Sequence, residues 1–469
     1  MITTDKDTLY RAMLARDPRY DGHFYVGVRT TGIYCRPVCP ARPHLHNVDF
    51  YRSPAEAEGV GLRACLRCRP DLSPTSRQWQ GTAAVVGRAL TLINGGALDE
   101  GSVEVLATRL GISDRHLRRL FEEHLGASPV EVALSRRLHL AKHLLLQTPL
   151  PITEIALASG FQSLRRFNAA FKSRFRVSPS ELRGKGGAEV QGLAQLHIPY
   201  IPPYDWGAQL HFFRRHMMAG VEDIGEDVFR RVFIWQGTPG VVTLHNNVAR
   251  SRVEVQVDIP DVRALRVVIE RVKNLLDLSM NPHLTLLEGD SELRQLMRTH
   301  AGLRVPGAWD PFETAVCIIL GQLVSVDAAR GAVARLIERF GEVLPQPPAP
   351  RLTHLFPTPA VLAAADLTTL GLPRVKAGAI SALASAVHRG ELDLSPAGDL
   401  ATTRKQLLAI KGIGPWTVEM VAMRCLRDTD SFPQNDLIVR RALERHPENH
   451  QDWAPWRAYL TLMLWKVYA

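Results

Sequence analysis

Four of the six cysteines lie in one short stretch of this 469-residue chain. Three residues separate Cys35 from Cys39 and two separate Cys65 from Cys68, with 25 residues between the two pairs. Two close cysteine pairs separated by a folded segment of chain can bind one ion with tetrahedral geometry, and a set of four thiolates favours zinc. The spacing therefore predicts a Zn²⁺ site at Cys35, Cys39, Cys65 and Cys68. Spacing alone leaves open whether the ion only staples a small domain or also activates a sulfur.

A second group of residues that could do chemistry lies near the C-terminal end, in the sequence LLAIKGIGPWT. Gly412 and Gly414 permit a tight turn whose backbone amides can approach a DNA phosphate, and Lys411 in the same turn is a candidate phosphate contact. Asp436 follows 20 residues after Trp416, at the start of a new helical pattern. A carboxylate there could stabilise a developing positive charge or cap the helix, and the two roles are compatible.

The composition of the chain restricts its partners and its compartment. The net charge of +10 and the pI of about 9.5 favour a polyanionic partner, either nucleic acid or an anionic membrane surface. The chain has no apolar run near the ~20 residues that a membrane span needs, and it begins with MITTDKDTLYRAML, which lacks an apolar signal core. We therefore expect a cytoplasmic protein that binds nucleic acid rather than a membrane.

The two remaining cysteines, Cys317 and Cys425, lie in the segments AVCIILGQL and VAMRCLRD. Both segments have apolar helical patterns, so we expect both cysteines to be core thiols. In a reducing cytosol the four clustered cysteines are then metal ligands rather than disulfide partners.

The periodicity of the sequence divides the chain into five segments. Residues 1–78 contain short strand-like pieces, residues 82–183 have long helical periodicity, and residues 184–195 include a glycine-rich stretch that predicts a linker. Residues 196–285 contain alternating segments typical of antiparallel strands, with a turn expected at GTPG between VFIWQ and VVTLHNN. Residues 286–469 are again helical. The predicted fold class is a multidomain protein, α+β overall and mostly α, with a small zinc domain, two all-α domains and an α/β subdomain between them.

One pattern occurs twice in the first helical segment, as VEVLATRLGISDRHLRRLFEEHLG and as ITEIALASGFQSLRRFNAAFKSRFRVSP. Gly111 and Gly160 mark turns, and Ser113 and Ser163 are the expected N-caps of the helices that follow. Two such helix-turn-helix units can place two recognition helices in successive segments of the DNA major groove. The alternative is an amphipathic bundle with a solvated basic face. The candidate DNA contacts are Arg118, Arg119, Arg165, Arg166 and Lys172.

The sequences TTGIYCRPVCPARP, NVDFYRSPAEA and GLRACLRCRPD closely resemble the N-terminal zinc domain of the Ada adaptive-response family, over roughly residues 5–75. The resemblance implies that one zinc-bound thiolate, here that of Cys35, takes a methyl group irreversibly from a methylated DNA phosphotriester. Zinc would keep this sulfur deprotonated. Methylation would remove one negative charge and thereby strengthen DNA binding. Five nearby arginines could grip the DNA backbone or be plain surface charges: Arg29, Arg36, Arg42, Arg67 and Arg69.

The whole of residues 82–183 resembles the AraC-type DNA-binding domain, down to the run GFQSLRRFNAAFKSRFRVSPSELR. The resemblance implies binding to promoter operators in double-stranded DNA. For a transcription activator it also implies contact with RNA polymerase.

Residues 196–469 resemble the AlkA-type 3-methyladenine DNA glycosylases of the helix–hairpin–helix superfamily, through IPYIPPYDWGAQLHFF, DPFETAVCIILGQLVSV and WAPWRAYLTLMLW as well as the hairpin. The resemblance implies that a damaged nucleotide leaves the stack and that Leu323 fills the gap, although Leu323 could also be a helix-packing residue. Asp436 would stabilise the oxocarbenium character of the sugar and position water. Alkylated purines are electron-poor, so aromatic faces suit them. The candidate base-binding residues, each of which could instead be core, are Trp416, Trp456, Tyr204 and Phe212.

The subtype of glycosylase follows from one position in this resemblance. Trp416 stands where enzymes that also cut the strand carry a nucleophilic lysine, so a monofunctional hydrolase is expected. Met420 and Ala208 stand where the family often has aromatic residues, which implies a less aromatic pocket. Cysteines for an iron–sulfur cluster near the C-terminus are missing, and nothing resembles the second methyltransferase domain of the Ada family.

These resemblances imply a bacterial protein of DNA alkylation repair and its regulation. It would excise bases of the 3-methyladenine class by hydrolysis, and it would accept methyl groups from phosphotriesters in a step that could switch on transcription. One alternative is a transcription regulator whose glycosylase half is only a DNA-binding appendage. Another is a repair enzyme whose N-terminal half only tethers it to DNA. The expected cofactor is Zn²⁺, the expected partners are double-stranded DNA and RNA polymerase, and the expected location is the cytoplasm, in association with the nucleoid.

Overall fold

The computed structural model describes residues 5–70, 83–184, 193–286, 291–446 and 450–468. It confirms the predicted fold class, because helices dominate the described residues and the strands form small sheets. Most of the linker predicted over residues 184–195 lies outside the described residues. The chain forms two compact units, of which unit 1 comprises Met1–Ile201, Asp261–Glu270 and Ser279–His283, and unit 2 comprises Pro202–Pro260, Arg271–Leu278 and Leu284–Ala469.

Unit 1 begins with a small sheet of order β3-β1-β2-β4, in which β2 and β4 are parallel and the other pairs antiparallel. Alternation along the strands gives this sheet two apolar faces. One face packs Val26 and Val48 against Met13, and the other packs Tyr34 against Ala57. The elements are α1 (Lys6–Ala15), β1 (Tyr25–Val28), β2 (Ile33–Cys35), β3 (Val48–Tyr51), α2 (Pro54–Gly59) and β4 (Arg63–Ala64).

The helical part of unit 1 contains the two predicted helix-turn-helix units, α4–α5 and α7–α8. Gly111 and Gly160 adopt positive φ angles of 73° and 83° in the turns, a conformation that glycine accepts without a Cβ clash. Ser113 and Ser163 cap the second helix of each unit, as predicted. The helices are α3 (Ala83–Asn94), α4 (Val103–Arg109), α5 (Asp114–Leu125), α6 (Pro129–Gln147), α7 (Ile152–Ala158), α8 (Leu164–Phe175) and α9 (Pro179–Arg183), and β5 (Leu193–Pro199) follows.

A short segment that is distant in sequence also belongs to unit 1 and supports the second of these turns. The Arg266 guanidinium donates a hydrogen bond to the Ser159 carbonyl oxygen at 2.7 Å and pairs with Asp99. Asp99 also accepts from Arg137 at 2.9 Å. The turn beside Gly160 is therefore held by a charged network as well as by its own helices.

The predicted antiparallel strands are present in unit 2 as β6 to β9, paired in the order β6-β7-β8-β9. The prediction of a turn at GTPG was wrong, because the turn begins one residue earlier and is shorter. The two turn residues are Gln236 and Gly237, both with positive φ, which make a tight two-residue hairpin. Gly240 instead lies in a strand and pairs with Phe233. The strands are β6 (Glu222–Ile224), β7 (Val228–Trp235), β8 (Thr238–Asn247) and β9 (Arg252–Asp258).

The remaining helices surround an apolar core in which Cys425 is buried, as predicted, and burial raises its pKa to about 12. Cys317 is half-buried on α13, and burial raises its pKa as well. Within the described residues, the helices are too short or too polar to cross a lipid bilayer. The helices are α10 (Trp206–Arg215), α11 (Ala264–Leu276), α12 (Glu292–Thr299), α13 (Pro311–Leu320), α14 (Val326–Phe340), α15 (Pro359–Ala364), α16 (Arg374–His388), α17 (Leu400–Ala409), α18 (Pro415–Arg424), α19 (Leu437–Arg445) and α20 (Arg457–Tyr468).

Candidate functional site

The four clustered cysteines converge in unit 1, where their sulfur atoms all lie within 4.8 Å of one another. Cys35 ends strand β2, and the Cys39 amide donates to the Arg36 carbonyl oxygen at 3.1 Å in the turn that follows. Cys65 comes directly after β4, and its amide donates to the Tyr34 carbonyl oxygen at 3.0 Å. The small sheet therefore brings the two cysteine pairs together.

The electrostatics of this cluster suit a doubly charged cation. Hydrogen bonds with Cys39 and Cys68, together with burial, raise the pKa of Cys35, whereas hydrogen bonds from Cys35 and Cys68 lower the pKa of Cys39 to about 2. Four sulfurs this close cannot all ionise without a cation to offset their repulsion, and a tetrahedral set of four thiolates is a typical zinc site. The protein thus has a Zn²⁺ site formed by Cys35, Cys39, Cys65 and Cys68.

The exposure of the four cysteines is uneven. Cys35 is 5% exposed and Cys39 is also buried, whereas Cys65 and Cys68 are half-buried. A small cavity borders Cys35, with lining residues that include Met13, Val26, Val28 and Pro43. The sulfur predicted to accept a methyl group is therefore bordered by a mostly apolar space.

The arginines near the zinc site differ in their surroundings. Arg36 is unsuited to gripping DNA, because its guanidinium pairs with buried Asp21 and its amide donates to the Cys68 sulfur at 3.3 Å. Arg42 and Arg67 are exposed. Arg29 donates to the His46 carbonyl, and Arg69 has a positive φ of 50° after the last cysteine.

The predicted recognition helices α5 and α8 present their basic residues to solvent. Leu117 and Leu120 of α5, and Phe167 and Phe171 of α8, fill the core of unit 1, which turns the opposite faces outward. Arg118 also lies near two acidic side chains of its own unit, those of Glu104 and Asp114. The exposed basic residues on these two helices include Arg118, Arg119, Arg165, Arg166 and Lys172.

The predicted hairpin in unit 2 joins α17 to α18, and its two glycines differ in their surroundings. Gly412 has a φ of 98°, and a Cβ there would lie 2.9 Å from a methyl carbon of Val375. Gly414 is the N-cap of α18, and nothing lies within 4 Å of a Cβ added to it. Lys411 is exposed beside them. The amide end of α18 is therefore open to an anion such as a phosphate.

Leu323 projects into solvent between α13 and α14. It is 105% exposed relative to the reference state and has a positive φ of 57°, which is unusual for a branched residue. Its neighbour Gln322 donates to the Gly412 carbonyl oxygen at 3.1 Å and to the Thr417 hydroxyl at 2.7 Å, and Lys376 donates to the Gln322 carbonyl oxygen. Leu323 makes no helix-packing contact that would explain its position, and its loop is fixed to the hairpin.

Asp436 is the N-cap of α19, and its carboxylate accepts hydrogen bonds on both oxygens. Oδ1 accepts from the amides of Ile438 and Val439 at 3.0 and 3.2 Å and from the Trp465 indole at 3.0 Å. Oδ2 accepts from the Trp416 indole at 3.1 Å. The two indoles hold the carboxylate in a fixed orientation. Trp465 was not predicted from the sequence, although it ends the segment WAPWRAYLTLMLW, which resembles the glycosylase family.

The other predicted base-binding residues have different surroundings. Trp456 is buried and packs edge-to-face on Tyr459, so it occupies the core position that was its alternative. The Tyr204 hydroxyl donates to a backbone carbonyl oxygen of α11 at 3.0 Å. Phe212 lies under the Arg424 guanidinium at 5.0 Å from its ring centre. Of the four predicted aromatics, Trp416 is the one with a described contact to Asp436.

The two positions predicted to reduce the aromatic character of the pocket are also placed by the structure. Met420 is buried within α18, one turn after Trp416. Ala208 lies in the first turn of α10, where its amide donates to the Asp205 carboxylate at 2.9 Å. Met420 therefore belongs to the core in this structure.

A zinc site, two helix-turn-helix units and a hairpin beside a fixed carboxylate together define a multidomain protein that acts on DNA. Family models match along the chain in the same order: the metal binding domain of Ada at residues 8–71, a helix-turn-helix domain at residues 106–185 and the AlkA N-terminal domain at residues 195–310. The probable bifunctional transcriptional activator/DNA repair enzyme AlkA of Mycobacterium tuberculosis is 36% identical over 482 aligned positions, covering 98% of this chain and 96% of that protein. The chain belongs to this family of bifunctional transcriptional activator/DNA repair enzymes.

Two further similarities concern the C-terminal half of the chain. DNA-3-methyladenine glycosylase 2 of Escherichia coli is 33% identical over 279 positions, which cover 57% of this chain and 95% of that protein. The 3-methyladenine DNA-glycosylase of Archaeoglobus fulgidus has the same fold over 58% of this chain and 97% of its own, with a TM-score of 0.50 and 23% identity.

Proposed function

We propose that this protein combines a methylation sensor, a transcription regulator and a monofunctional DNA glycosylase for alkylated bases. The observation that carries the enzymatic part is the Asp436 carboxylate, which the Trp416 and Trp465 indoles hold in the same unit that contains the open N-terminus of α18. The proposed domains are 1–78 for methyl acceptance, 82–183 for operator binding, 184–195 as a linker, 196–285 as an α/β subdomain and 286–469 for base excision.

Base excision requires that the damaged nucleotide leaves the duplex. The amides at Gly412 and Gly414 bind the backbone phosphate with Lys411, and Leu323 fills the space that the flipped nucleotide vacates. The exposed side chain of Leu323 and the hydrogen bond that ties its loop to the hairpin support this role, because a side chain that enters the duplex must keep its position.

Asp436 then supports the chemical step. The bond between C1′ and the base nitrogen breaks, and its electron pair leaves with the base, so positive charge develops on the sugar. The Asp436 carboxylate stabilises that charge and orients the water that adds to C1′. The faces of Trp416 and Trp465 hold the electron-poor base, with Tyr204 and Phe212 as further candidates. Trp456 has weaker support, because it is buried.

Cys35 is the proposed methyl acceptor. Bound Zn²⁺ keeps the four sulfurs ionised at neutral pH. The Cys35 thiolate attacks the methyl carbon of the phosphotriester, the carbon–oxygen bond breaks with its electron pair on oxygen, and a phosphodiester and a thioether result. The mostly apolar cavity beside Cys35 suits the transferred methyl group.

Methylation of Cys35 removes one negative charge close to the two helix-turn-helix units of unit 1. Affinity for DNA depends on phosphate–cation electrostatics, so operator binding strengthens when the charge is lost. The proposed partners in this role are alkylated and promoter DNA and RNA polymerase, in the bacterial cytoplasm at the nucleoid.

One incubation tests both activities on the full chain. Duplex DNA carrying radiolabelled methylphosphotriesters and N-alkylpurines is mixed with protein, and both protein-bound label and free base are measured. Cys35→Ala should lose the protein label and keep base release, and Asp436→Asn should show the reverse. Wild-type protein that takes up label but releases no base would favour a regulator with an inert glycosylase half. Base release without protein label would reduce the N-terminal half to a DNA tether.

A further inference from the structure

A buried carboxylate lies at the junction between the sheet that carries Cys35 and the helix-turn-helix units. Glu58 belongs to α2, and its side chain is 2% exposed. The carboxylate accepts hydrogen bonds from the Tyr34 hydroxyl at 2.8 Å, the Ser135 hydroxyl at 2.6 Å and the Arg174 guanidinium at 2.8 Å, and it also pairs with His139. The four partners of this carboxylate therefore come from separate positions along the chain of unit 1.

The four partners of Glu58 come from three elements. Tyr34 lies on β2 and directly precedes Cys35, whereas Ser135 and His139 lie on α6 between the two helix-turn-helix units. Arg174 lies on α8, the second recognition helix. One side chain thus joins the strand of the methyl acceptor to the helix that would enter the DNA groove.

The other end of α2 contacts the first recognition helix. Ser53, its N-cap, donates through its hydroxyl to the Leu125 carbonyl oxygen at 2.7 Å, and Arg52 donates to the Glu123 carbonyl oxygen at 2.8 Å. Gly126 is the C-cap of α5, and a Cβ on it would lie only 2.1 Å from the side chain of Glu56. Helix α2 therefore contacts α5 with its first turn and α8 with its last.

The strand of Cys35 has little freedom to move independently of this junction. The Tyr34 carbonyl oxygen accepts from the Cys65 amide at 3.0 Å, so Tyr34 is fixed to the zinc-site backbone on one side and to Glu58 on the other. In the neighbouring strand, Gly27 pairs with Tyr34, and a Cβ there would lie 2.4 Å from the ring of Tyr51. Such close packing transmits small displacements instead of absorbing them.

Burying an ionised carboxylate has a large desolvation cost, so it is a poor way merely to hold two elements together. Burial opposes the ionisation of Glu58, but His139, Arg174 and Ser135 outweigh it and lower its pKa to about 2. Apolar side chains of similar volume often stabilise a junction as well or better, whereas a satisfied buried network fixes one geometry. The junction is therefore built for a defined orientation of α2 between the sheet and the recognition helices.

We propose that Glu58 is a positioning residue that couples the methylation state of Cys35 to the placement of recognition helices α5 and α8 through helix α2. This inference rests on the proposed methylation switch. It adds a mechanical route to the electrostatic one, since the lost charge alone would act on DNA without Glu58. The residues of the route are Cys35, Tyr34, Glu58 and Arg174.

The test compares affinities of methylated and unmethylated full-length protein for one duplex, which the methylated wild type has selected from a random-sequence pool. Methylation is carried out with phosphotriester DNA, and salt is held fixed. We expect about tenfold tighter binding after methylation of the wild type, a typical allosteric coupling. Glu58→Gln should bind zinc and take up methyl normally but show less than a threefold change.

The matched control is Glu131→Gln, which alters an exposed carboxylate on α6 whose capping role glutamine can retain. It should keep the wild-type ratio. If Glu58→Gln fails to bind zinc, Tyr34→Phe decides, because it removes one hydroxyl from the junction and should also reduce the ratio.

Each outcome bears on a different claim. A zinc-loaded Glu58→Gln, or failing that Tyr34→Phe, with the full wild-type ratio would overturn the coupling and leave the switch purely electrostatic. A merely structural Glu58 would weaken both forms equally and leave the ratio unchanged, which would also overturn it. A wild type with equal affinities in both forms would remove the proposed switch itself, and the coupling with it.

Discussion

At the scale of single residues, the helix-capping role of Asp436 is compatible with the catalytic role proposed for it. As the N-cap of α19 it satisfies two backbone amides, and two indole N–H groups hold its oxygens from the sides of α18 and α20. In the proposed reaction, these donors would hold the carboxylate in one orientation, so that it need not reorganise as positive charge develops on the sugar.

Asp436→Asn should slow the release of 3-methyladenine or 7-methylguanine from duplex DNA by about 10²–10³-fold, because it removes one well-placed charge. Asparagine can still cap α19, so folding and DNA binding should be spared. Single-turnover base release with parallel DNA-binding measurements checks this. Trp465→Phe, which removes one N–H donor but keeps an aromatic face, should have a smaller effect. Excision at wild-type speed by Asp436→Asn would contradict the assignment.

The expected monofunctional activity gives a separate prediction, which concerns Trp416. Trp416 stands at the start of α18, and it donates to Asp436 instead of offering an amine. Wild-type protein should therefore leave an intact abasic strand that breaks only after alkali. Strand nicking without alkali, or a covalent adduct trapped by borohydride, would show a lyase activity.

Glu58 gives a pH dependence whose sign follows from its lowered pKa. The pKa is about 2 in the folded protein against an ordinary 4.5, so its stabilising contribution is complete above about pH 4.5 and is lost as the pH falls toward 2. As the pH falls from 6 to 2, the stability advantage of the wild type over Glu58→Gln should therefore decrease by about 3 kcal/mol, since one pKa unit corresponds to ~1.4 kcal/mol. This difference should shrink between pH 4.5 and 3. Denaturant unfolding with zinc content followed in parallel checks it, and a difference that is constant with pH would contradict it.

At the scale of elements, the hairpin at residues 412–414 and the loop of Leu323 are joined by hydrogen bonds. Gln322 joins the loop of Leu323 to Gly412 and Thr417, and Lys376 of α16 donates to the carbonyl oxygens of Leu320 and Gln322. A phosphate bound at the hairpin, as proposed, would therefore fix where Leu323 meets the duplex.

Leu323→Ala should slow excision of a base-paired lesion by roughly tenfold and leave excision from an unpaired or mismatched site nearly unchanged, because a mismatched base costs less to extrude. Single-turnover rates on matched and mismatched duplexes give the comparison, and Val343→Ala, which truncates another exposed aliphatic residue of unit 2, is the control. Equal losses on both duplexes would assign Leu323 to general DNA binding.

Local patterns in the sequence were sufficient for most elements. The caps Ser113 and Ser163, the glycine turns and the cysteine pairs are short-range signals, and the structure has them where they were predicted. The hairpin turn at Gln236 was displaced, because positive φ at two successive residues is a property of strand twist that composition shows only weakly.

Contacts between residues that are far apart in the sequence could not be predicted from these local patterns. Trp465 reaches Asp436 across 29 positions of the chain, and Glu58 meets Arg174 across 116. Trp456, which was predicted to bind the base, instead packs in the core, whereas Trp465 in the same segment was not predicted. Hydrophobic periodicity shows which face of a helix is buried, but not how two helices that are distant in sequence are rotated relative to each other. It therefore cannot show which of two tryptophans faces the carboxylate.

At the scale of the whole molecule, the two proposed chemistries are assigned to different compact units. The zinc site lies in unit 1 and Asp436 lies in unit 2. Among the described residues, the cysteine cluster is the group whose ligand atoms converge closely enough to hold a metal. Base excision therefore should not depend on zinc, whereas methyl acceptance should, because it needs an ionised sulfur.

Removal of zinc from the full chain by a thiol-compatible chelator at neutral pH should separate the activities. Methyl uptake from phosphotriester DNA should fall in proportion to the zinc lost, and it should return when zinc is restored. Single-turnover release of alkylated base should stay within about twofold of the untreated protein, because the mechanism proposed for Asp436 uses an electrostatic group and water instead of a metal. Metal analysis of the same samples provides the common scale, and Cys68→Ala serves as a zinc-deficient form made without chelator. Base release that declined in step with zinc content, in both the chelated protein and Cys68→Ala, would show that the excision site depends on the folded zinc site of unit 1.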